Sequence, residues 1–127
     1  MDPRLRGVAF ELLILLPELG TLSRRQIASL AGLAPRANES ARFKGYRRTG
    51  HGRCNIKPTL FMAAMAPRKT KSGTFKAFFE KLVEKGKKKM VALTALMRKL
   101  LVIANAKLKE LILKKQVALV VLSKTCA

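Results

Sequence analysis

The sequence predicts a mainly α, compact helical domain of about five helices, with a basic glycine-rich loop or short β-ribbon between helices two and three. Apolar residues make up 49% of the 127 residues, which is enough for one core. Several segments repeat apolar residues at helical spacing, and glycines and prolines separate these segments. Residues 34–53 lack the helical period, so a loop or ribbon is expected there.

The first predicted helix covers residues 7–16. These residues are apolar nearly all round, interrupted only by Glu11, and Pro17 and Gly20 follow them. A helix that is apolar on every side is normally buried. We therefore expect a buried first helix that ends before Pro17.

The second predicted helix begins after Ser23. Ser23 and Gln26 have the spacing of a capping box, with a hydroxyl at the N-cap and an amide side chain three residues later. Gly32 is expected near the end of this helix. Its buried face should carry Ile27, Leu30 and Ala31.

Two further helices are predicted in the middle of the chain. The third should run from about Ile56 to Met65, with Pro58 in its first turn and Pro67 as its stop. Gly86 is expected to end the fourth helix. The fourth helix is indicated by apolar residues at i, i+3, i+4, i+7 and i+8, which are Phe75, Phe78, Phe79, Leu82 and Val83.

The longest predicted helix follows the lysines at 87–89. Its apolar stripe comprises Leu93, Met97, Leu100, Leu101, Ala104, Leu108 and Leu111. Its other side carries Arg98, Lys99, Asn105 and Lys109. The tail is ambiguous, because VALVVL has β-branched character but no obvious partner strand. We therefore divide the chain into a helical domain, residues 1–113, and a divergent tail, residues 114–127.

The charge balance indicates a polyanionic partner. Lys and Arg number 27 against 7 Asp and Glu, a net charge of +20. Nucleic acid is the first candidate partner and an anionic membrane surface the second. No stretch has the ~18 uncharged apolar residues of a membrane span. The two cysteines, Cys54 and Cys126, do not form a disulfide framework, so a cytoplasmic location is expected.

The basic segment 34–57 is the strongest candidate site. Between Arg42 and Lys57 there are six Lys or Arg and no acid. Glycines allow the backbone to approach a phosphate, and aromatic side chains offer flat faces for bases. The alternative is an ordinary solvated loop. The residues predicted to contact nucleic acid are Arg36, Arg42, Lys44, Tyr46, Arg47, Arg48 and Arg53.

No metal site is predicted. Glu80 and Glu84 share a helix face, but lysines surround them, as on many helix surfaces. His51 and Cys54 are three residues apart, and two ligands without a second pair are a weak zinc signal. We therefore expect no metal ligand and no cofactor in this chain.

Ser40 lies at the head of the basic segment. Taken alone, a loop serine is structural in most cases, capping a turn or a helix. A serine nucleophile needs a neighbouring base or a cationic field, and the only histidine is eleven residues further on. The nearby arginines offer such a field and hydrogen bonds to a phosphate. Both interpretations remain open from the residues themselves.

Three segments together resemble a known family. They are LPELGTLSRRQIASLAGLAPRANESARFKGYRRTGHGR, LFMAAMAPRKT and FKAFFEKLVEKGKKKMVALTALMRKLLVIANAKLKE. They are similar to the C-terminal domain of the transposases of insertion-sequence family 110, grouped with families 116 and 902. The resemblance runs from about Leu12 to Lys109.

This resemblance implies a DNA recombinase with two halves. The N-terminal half of such enzymes carries a DEDD carboxylate set that binds magnesium. The C-terminal half is largely helical and carries a serine nucleophile that joins covalently to DNA. The family's serine falls on Ser40 here. Structured guide RNA, the N-terminal half and further copies of the enzyme are the implied partners.

The chain departs from the family pattern at several positions. Ala41 stands where the family commonly has glycine after the serine, and Pro58 stands where a basic residue is usual. Residues 3–6 do not match the family's Gly-x-Gly-Pro turn, and the tail after Lys109 leaves the pattern. The sequence contains no DEDD set, so we expect that this half of the enzyme is missing and that magnesium binds only when it is present.

The leading hypothesis is a truncated transposase domain that binds DNA and is inactive alone. On this hypothesis Ser40 attacks a phosphodiester only when the missing half is supplied, and the fragment itself should be marginally stable. A non-catalytic basic nucleic-acid-binding module is the alternative. A membrane-surface protein is a weaker alternative, because the apolar stripes of helices four and five resemble mutual packing surfaces.

Overall fold

Helices dominate the part of the chain that the structure describes. The computed structural model describes residues 3–69 and 73–125. The elements are α1 (Pro3–Leu15), α2 (Arg24–Leu30), β1 (Pro35–Arg36), β2 (Glu39–Ser40), β3 (Phe43–Lys44), β4 (Arg48–Thr49), α3 (Ile56–Lys69), α4 (Thr74–Glu84) and α5 (Lys89–Thr125). The predicted mainly α class, with about five helices and a short ribbon after the second, is confirmed.

The five helices share one core. Helix α5 packs against α2, α3 and α4, and α1 packs against α3. Each helix contributes one apolar face, and the large side chains at the centre are fully removed from solvent. These side chains are Leu16, Ile27, Ile56, Leu60, Leu96 and Leu101.

The expectation that the first helix is buried all round is wrong. Leu12 lies in the core and Leu16 follows directly after the helix, also in the core. In contrast, the side chain of Phe10 is 67% exposed and that of Ile14 is 63% exposed. The reason is that α1 has α3 as its main helical neighbour, which covers only one face.

Helix α2 follows its sequence signals closely. The Ser23 hydroxyl accepts a hydrogen bond from the Gln26 backbone N–H at 3.3 Å. The Gln26 side-chain oxygen accepts one from the Ser23 backbone N–H at 3.0 Å. The predicted capping box is therefore confirmed. Ile27 and Ala31 are buried, as predicted.

Helix α3 is longer than predicted. It continues past Pro67 to Lys69, four residues beyond the expected end at Met65. The fixed φ of proline, near −65°, lies in the helical range, so a helix can pass through it at the loss of a backbone hydrogen bond. Pro58 lies in the first turn of α3, as predicted.

Helix α4 ends where the sequence indicates. The Gly86 N–H donates to the Val83 carbonyl at 2.9 Å, and the Lys87 N–H donates to the Leu82 carbonyl at 3.1 Å. These two bonds form a Schellman closure with Gly86 at the position after the C-cap. Phe79 is buried against the core, and the other residues of the predicted apolar stripe of α4 are half-buried.

Helix α5 leaves the core near Leu108. Its predicted stripe is buried at Leu93, Met97 and Leu101, but Leu111 is 60% exposed. From residue 109 to residue 125 every side chain is exposed. The ambiguous tail is helical as far as Thr125, so the proposed boundary at residue 113 falls inside α5. Cys126 lies outside the described residues.

Asn105 corrects the prediction for the other side of α5. It was expected at the surface, but only 4% of it is exposed. Its side-chain N–H donates to the Leu22 carbonyl at 3.0 Å, and its oxygen accepts from the Gly20 N–H at 2.7 Å. Burial is possible because both halves of the amide are paired. Asn105 thereby fixes the α1–α2 connection to α5.

We expect Asn105→Leu to lower the free energy of unfolding by about 3 kcal/mol, because the buried Gly20 N–H and the partly buried Leu22 carbonyl lose their partner. Leucine has a similar volume, so packing alone does not explain such a loss. The measurement is urea denaturation followed by circular dichroism. Lys109→Leu, at an exposed position of the same helix, should change stability by less than ~0.5 kcal/mol. Equal stability of the two variants would contradict the role of Asn105.

Candidate nucleic-acid interface

The basic segment forms a narrow antiparallel ribbon. At its base β1 pairs with β4, so that Pro35 faces Thr49 and Arg36 faces Arg48. Nearer the tip β2 pairs with β3, with Ser40 opposite Phe43. Residues 41–42 form the turn between β2 and β3. The prediction of a loop or short ribbon is therefore resolved in favour of a ribbon.

Two glycines attach the ribbon to the end of α2. Gly32 has a φ of 67° and Gly52 a φ of 99°, a region that favours glycine. A Cβ on Gly52 would lie 2.6 Å from the Leu30 carbonyl oxygen and 2.5 Å from the Gly32 nitrogen. The Arg53 N–H also donates to the Leu30 carbonyl at 3.0 Å. The base of the ribbon is therefore held by backbone packed directly on backbone.

Arg53 provides a second attachment. Its guanidinium donates to both carboxylate oxygens of Glu18, at 2.6 and 2.9 Å, and to the Leu15 carbonyl at 2.8 Å. The hydrogen bond from Arg53 lowers the pKa of Glu18, and the same bond raises the pKa of Arg53. Because the pKa of Glu18 is lower in the folded chain, the Glu18–Arg53 pair stabilises the fold fully at pH values above the ordinary carboxyl pKa. This stabilisation is lost as the pH falls through the pKa that Glu18 has in the folded chain. Arg53, one of the predicted contact residues, thus joins the segment after the ribbon to the end of α1.

A cation-lined cleft opens beside the ribbon. Its volume is about 900 Å³, and it lies between the ribbon and the start of α5. Arg47 and Arg48 are on the ribbon wall, and Lys87, Lys88 and Arg98 are on the opposite wall. No Asp or Glu is among the residues that line it. This cleft, defined by these five cations, is called the basic cleft below.

The predicted contact residues lie at four places. Tyr46, Arg47 and Arg48 line the basic cleft, and the Tyr46 side chain is 85% exposed. Arg36 faces Arg48 at the base of the ribbon. Nearer the tip, Arg42 is in the turn and Lys44 is on β3, while Arg53 pairs with Glu18.

Arg47 also contacts an acid. Its guanidinium lies 3.3 Å from the Glu39 carboxylate, and the Arg47 side chain is 66% exposed. An exposed ion pair contributes less than ~1 kcal/mol, and salt screens it. A phosphate group can therefore compete with Glu39 for this arginine at little cost.

The second wall of the cleft was not predicted from the sequence. In the sequence, Lys87 and Lys88 simply precede the longest helix, and Arg98 belongs to its polar side. All three lie about forty or more residues after the ribbon arginines. The available signal was a run of lysines without an acid directly after Gly86. Only folding brings this run to face the ribbon.

Ser40 lies near the tip of the ribbon. It is exposed, and within the described residues its hydroxyl makes no hydrogen bond. His51 follows the base of the ribbon, whereas Ser40 lies near its tip. Arg42 follows Ser40 in the turn, and Lys44 pairs with Glu39, the residue before Ser40.

Most acids of the described chain form ion pairs with cations and are not gathered together. Residues 3–69 and 73–125 contain no group of three His, Cys, Asp or Glu that could hold a metal ion. Four carboxylates form ion pairs, at Glu18, Glu39, Glu80 and Glu110.

Within the described residues, none of the helices has both the length and the apolar character that crossing a membrane requires.

The fold and the basic cleft together define a small helical domain with a projecting basic ribbon. The sequence model of the transposase IS116/IS110/IS902 family matches residues 7–80, which include the ribbon and its attachment to α2. The chain belongs to this transposase family, and membership supports a role in the transposition of an insertion sequence. Comparison with curated proteins gives no match.

Proposed function

We propose that the chain binds DNA through the basic cleft, as the C-terminal domain of a transposase. The observation that carries this proposal is the meeting of five cations on two facing walls without an acid between them. The arrangement suits a phosphate backbone, because positive charges on both walls reinforce one another in the space between them. Membership of the transposase family points to DNA as the polyanion.

The physical consequence is a strong dependence on salt. Each cation that neutralises a phosphate releases a condensed counterion from the nucleic acid. Contact through all five cations gives a slope of roughly −4 for log Kobs against log salt. The contacts are made to phosphates, so different DNA sequences should be bound with similar affinity.

The test is to measure the affinity of the full chain for DNA duplexes and single strands by fluorescence anisotropy over a range of salt. We expect a slope near −4 for the preferred form. Arg47→Ala with Arg48→Ala should weaken binding to every sequence by a similar factor. A flat salt response, or unchanged affinity in this double variant, would remove the cleft from the interface.

We further propose Ser40 as the nucleophile of strand transfer. The Ser40 oxygen would form a bond to a DNA phosphorus, and the bond from phosphorus to the leaving deoxyribose oxygen would break. The serine proton passes by way of solvent to the leaving oxygen. Exposure at the ribbon tip supports this role, and so does the presence of the cations Arg42 and Lys44 in the same β2–β3 hairpin, because cations there can stabilise charge on the attacked phosphate.

The described residues do not fit a magnesium site, so no metal-dependent step is assigned to them. Under this proposal the family's carboxylate-bearing half supplies that chemistry. Structured guide RNA, that half and a second copy of the chain are further proposed partners, on the family resemblance alone.

The decisive experiment looks for a covalent protein–DNA adduct on a denaturing gel, with the carboxylate-bearing half and Mg²⁺ added. The adduct should disappear in Ser40→Ala and persist in Ser29→Ala, a change at another exposed serine. Affinity for DNA should be nearly unchanged in both variants. An adduct that persists without Ser40 would overturn the nucleophile assignment.

A non-catalytic DNA-binding module is the second candidate. It is favoured by one observation, namely that no hydrogen-bonded base activates the Ser40 hydroxyl among the described residues. It shares the salt dependence with the first candidate. Salt-dependent binding without any Ser40-dependent adduct, with the second half present, is the result that selects it.

A further inference from the structure

A second hollow adjoins the basic cleft. Its volume is about 370 Å³, and it shares Leu33, Thr49 and Thr94 with the cleft. The two hollows therefore adjoin along these three residues, and their linings differ. The volume is near the lower end of the ~300–1,000 Å³ range of small-molecule pockets, which suits one small planar group.

The lining of this second hollow is mainly apolar. Phe61 lies on α3, and Met90, Leu93 and Met97 lie on the first turns of α5. Leu93 and Met97 are buried beneath it, whereas Met90 is 65% exposed at its edge. The hollow defined by these four residues is called the apolar pocket below.

The polar groups of the apolar pocket are few and lie at its rim. They include Thr49, Cys54 and Lys57, and no acid is among the lining residues. The Thr94 hydroxyl donates to the Met90 carbonyl at 2.9 Å, which leaves its oxygen lone pairs able to accept. The pocket thus combines an apolar floor with a cation and hydrogen-bonding groups at the opening.

These observations limit the ligand. A ligand that occupies both sites needs anionic groups for the basic cleft. It also needs a flat apolar group, joined to them, for the apolar pocket. A strand of nucleic acid has this chemistry, but a duplex buries the faces of its bases in the stack. A base can enter the pocket only when it is unpaired, with its face against aromatic and thioether side chains.

We propose that the apolar pocket accepts one unpaired base of a DNA strand whose phosphates lie in the basic cleft. This inference rests on the proposed DNA-binding function and adds that the bound form is single-stranded or locally unpaired. The cations of the cleft attract the phosphates to a place beside the pocket, and neither lining contains an acid that would repel them.

The test compares two strands with equal charge. One is a short thymidine oligonucleotide, and the other is an abasic deoxyribose-phosphate strand of the same length. We expect the full chain to bind the abasic strand about tenfold or more weakly, because base stacking is lost while the phosphates remain. Both strands should show a similar salt slope.

Variants locate the preference in the pocket. Phe61→Ala should bring the ratio of the two affinities close to one. Met62→Ala is the control and should leave the ratio unchanged. Met62 is the next residue on α3, is 64% exposed and does not line the pocket. Because Phe61 also packs on the core, Met90→Ala at the exposed edge is the second variant, with a smaller reduction of the ratio. Circular dichroism checks the fold of each variant.

The outcomes separate the two proposals. Equal affinity for the thymidine and abasic strands, with strong salt dependence, overturns the apolar pocket but leaves DNA binding standing. Loss of salt-dependent binding to every DNA form overturns the proposed function itself. Tighter binding of a uridine RNA strand than of the thymidine strand overturns the assignment to DNA. A preference for the thymidine strand that survives both Phe61→Ala and Met90→Ala overturns the location.

Discussion

Replacing Lys87, Lys88 and Arg98 together by glutamine is expected to weaken DNA binding about 100-fold at ~0.1 M salt. These residues form one wall of the basic cleft. Removing three phosphate contacts reduces the salt slope from roughly −4 to roughly −2. The two binding curves should therefore converge as the salt concentration approaches ~1 M, where counterion release no longer favours binding.

The control for this experiment removes the same charge elsewhere. Lys109, Lys115 and Lys124 are exposed on the projecting part of α5, away from the cleft. Their replacement by glutamine also lowers the net charge from +20 by three. If the net charge alone attracts DNA, the two triple variants should lose affinity equally. If DNA lies in the basic cleft, only the variant at Lys87, Lys88 and Arg98 should lose much affinity. Equal losses would show that charge alone, and not the cleft, determines the affinity.

The second large effect is expected from Gly52→Ala, which should lower the free energy of unfolding by about 3 kcal/mol. Part of this cost comes from the backbone, because Gly52 has a φ of 99°. The rest comes from overlap, since a Cβ there would meet the Leu30 carbonyl and the Gly32 nitrogen. Neither contact atom belongs to a flexible side chain that can turn away.

Gly50→Ala is the matched control. A Cβ on Gly50 meets nothing within 4 Å, and its φ is not in the left-handed region. Its stability should stay within ~0.5 kcal/mol of the parent chain or rise slightly. The measurement is guanidinium denaturation of both variants. Because Gly52 sets the base of the ribbon, Gly52→Ala should also weaken DNA binding under conditions where the variant is still folded. Equal stability of the two alanine variants would show that the ribbon base tolerates displacement.

Local signals in the sequence were sufficient for much of the fold. The capping box at Ser23, the closure at Gly86 and the apolar period of α4 each depend on residues within a few positions of one another. The interactions they predict form inside a single turn or helix. Such interactions do not depend on what the rest of the chain does, and these were found as expected.

The failures share a different cause. The exposed face of α1, the passage of α3 through Pro67 and the burial of Asn105 all depend on a neighbouring element or on the wider packing. Asn105 shows this most clearly, because its partners lie 83 and 85 residues away in the sequence. A polar side chain is predicted to be exposed unless the groups that hydrogen-bond to it are known.

The candidate site likewise has some features that the sequence predicts and others that appear only in the folded chain. The sequence by itself determined the basic segment, the excess of positive charge and the resemblance that draws attention to Ser40. Only the tertiary structure paired the segment into a ribbon and placed Lys87, Lys88 and Arg98 opposite it. It also set the apolar pocket beside the cleft and paired Arg53 with Glu18. The physical reason is that charge and local hydrogen bonding are properties of short segments, whereas a cleft exists only between surfaces that the shared core brings together.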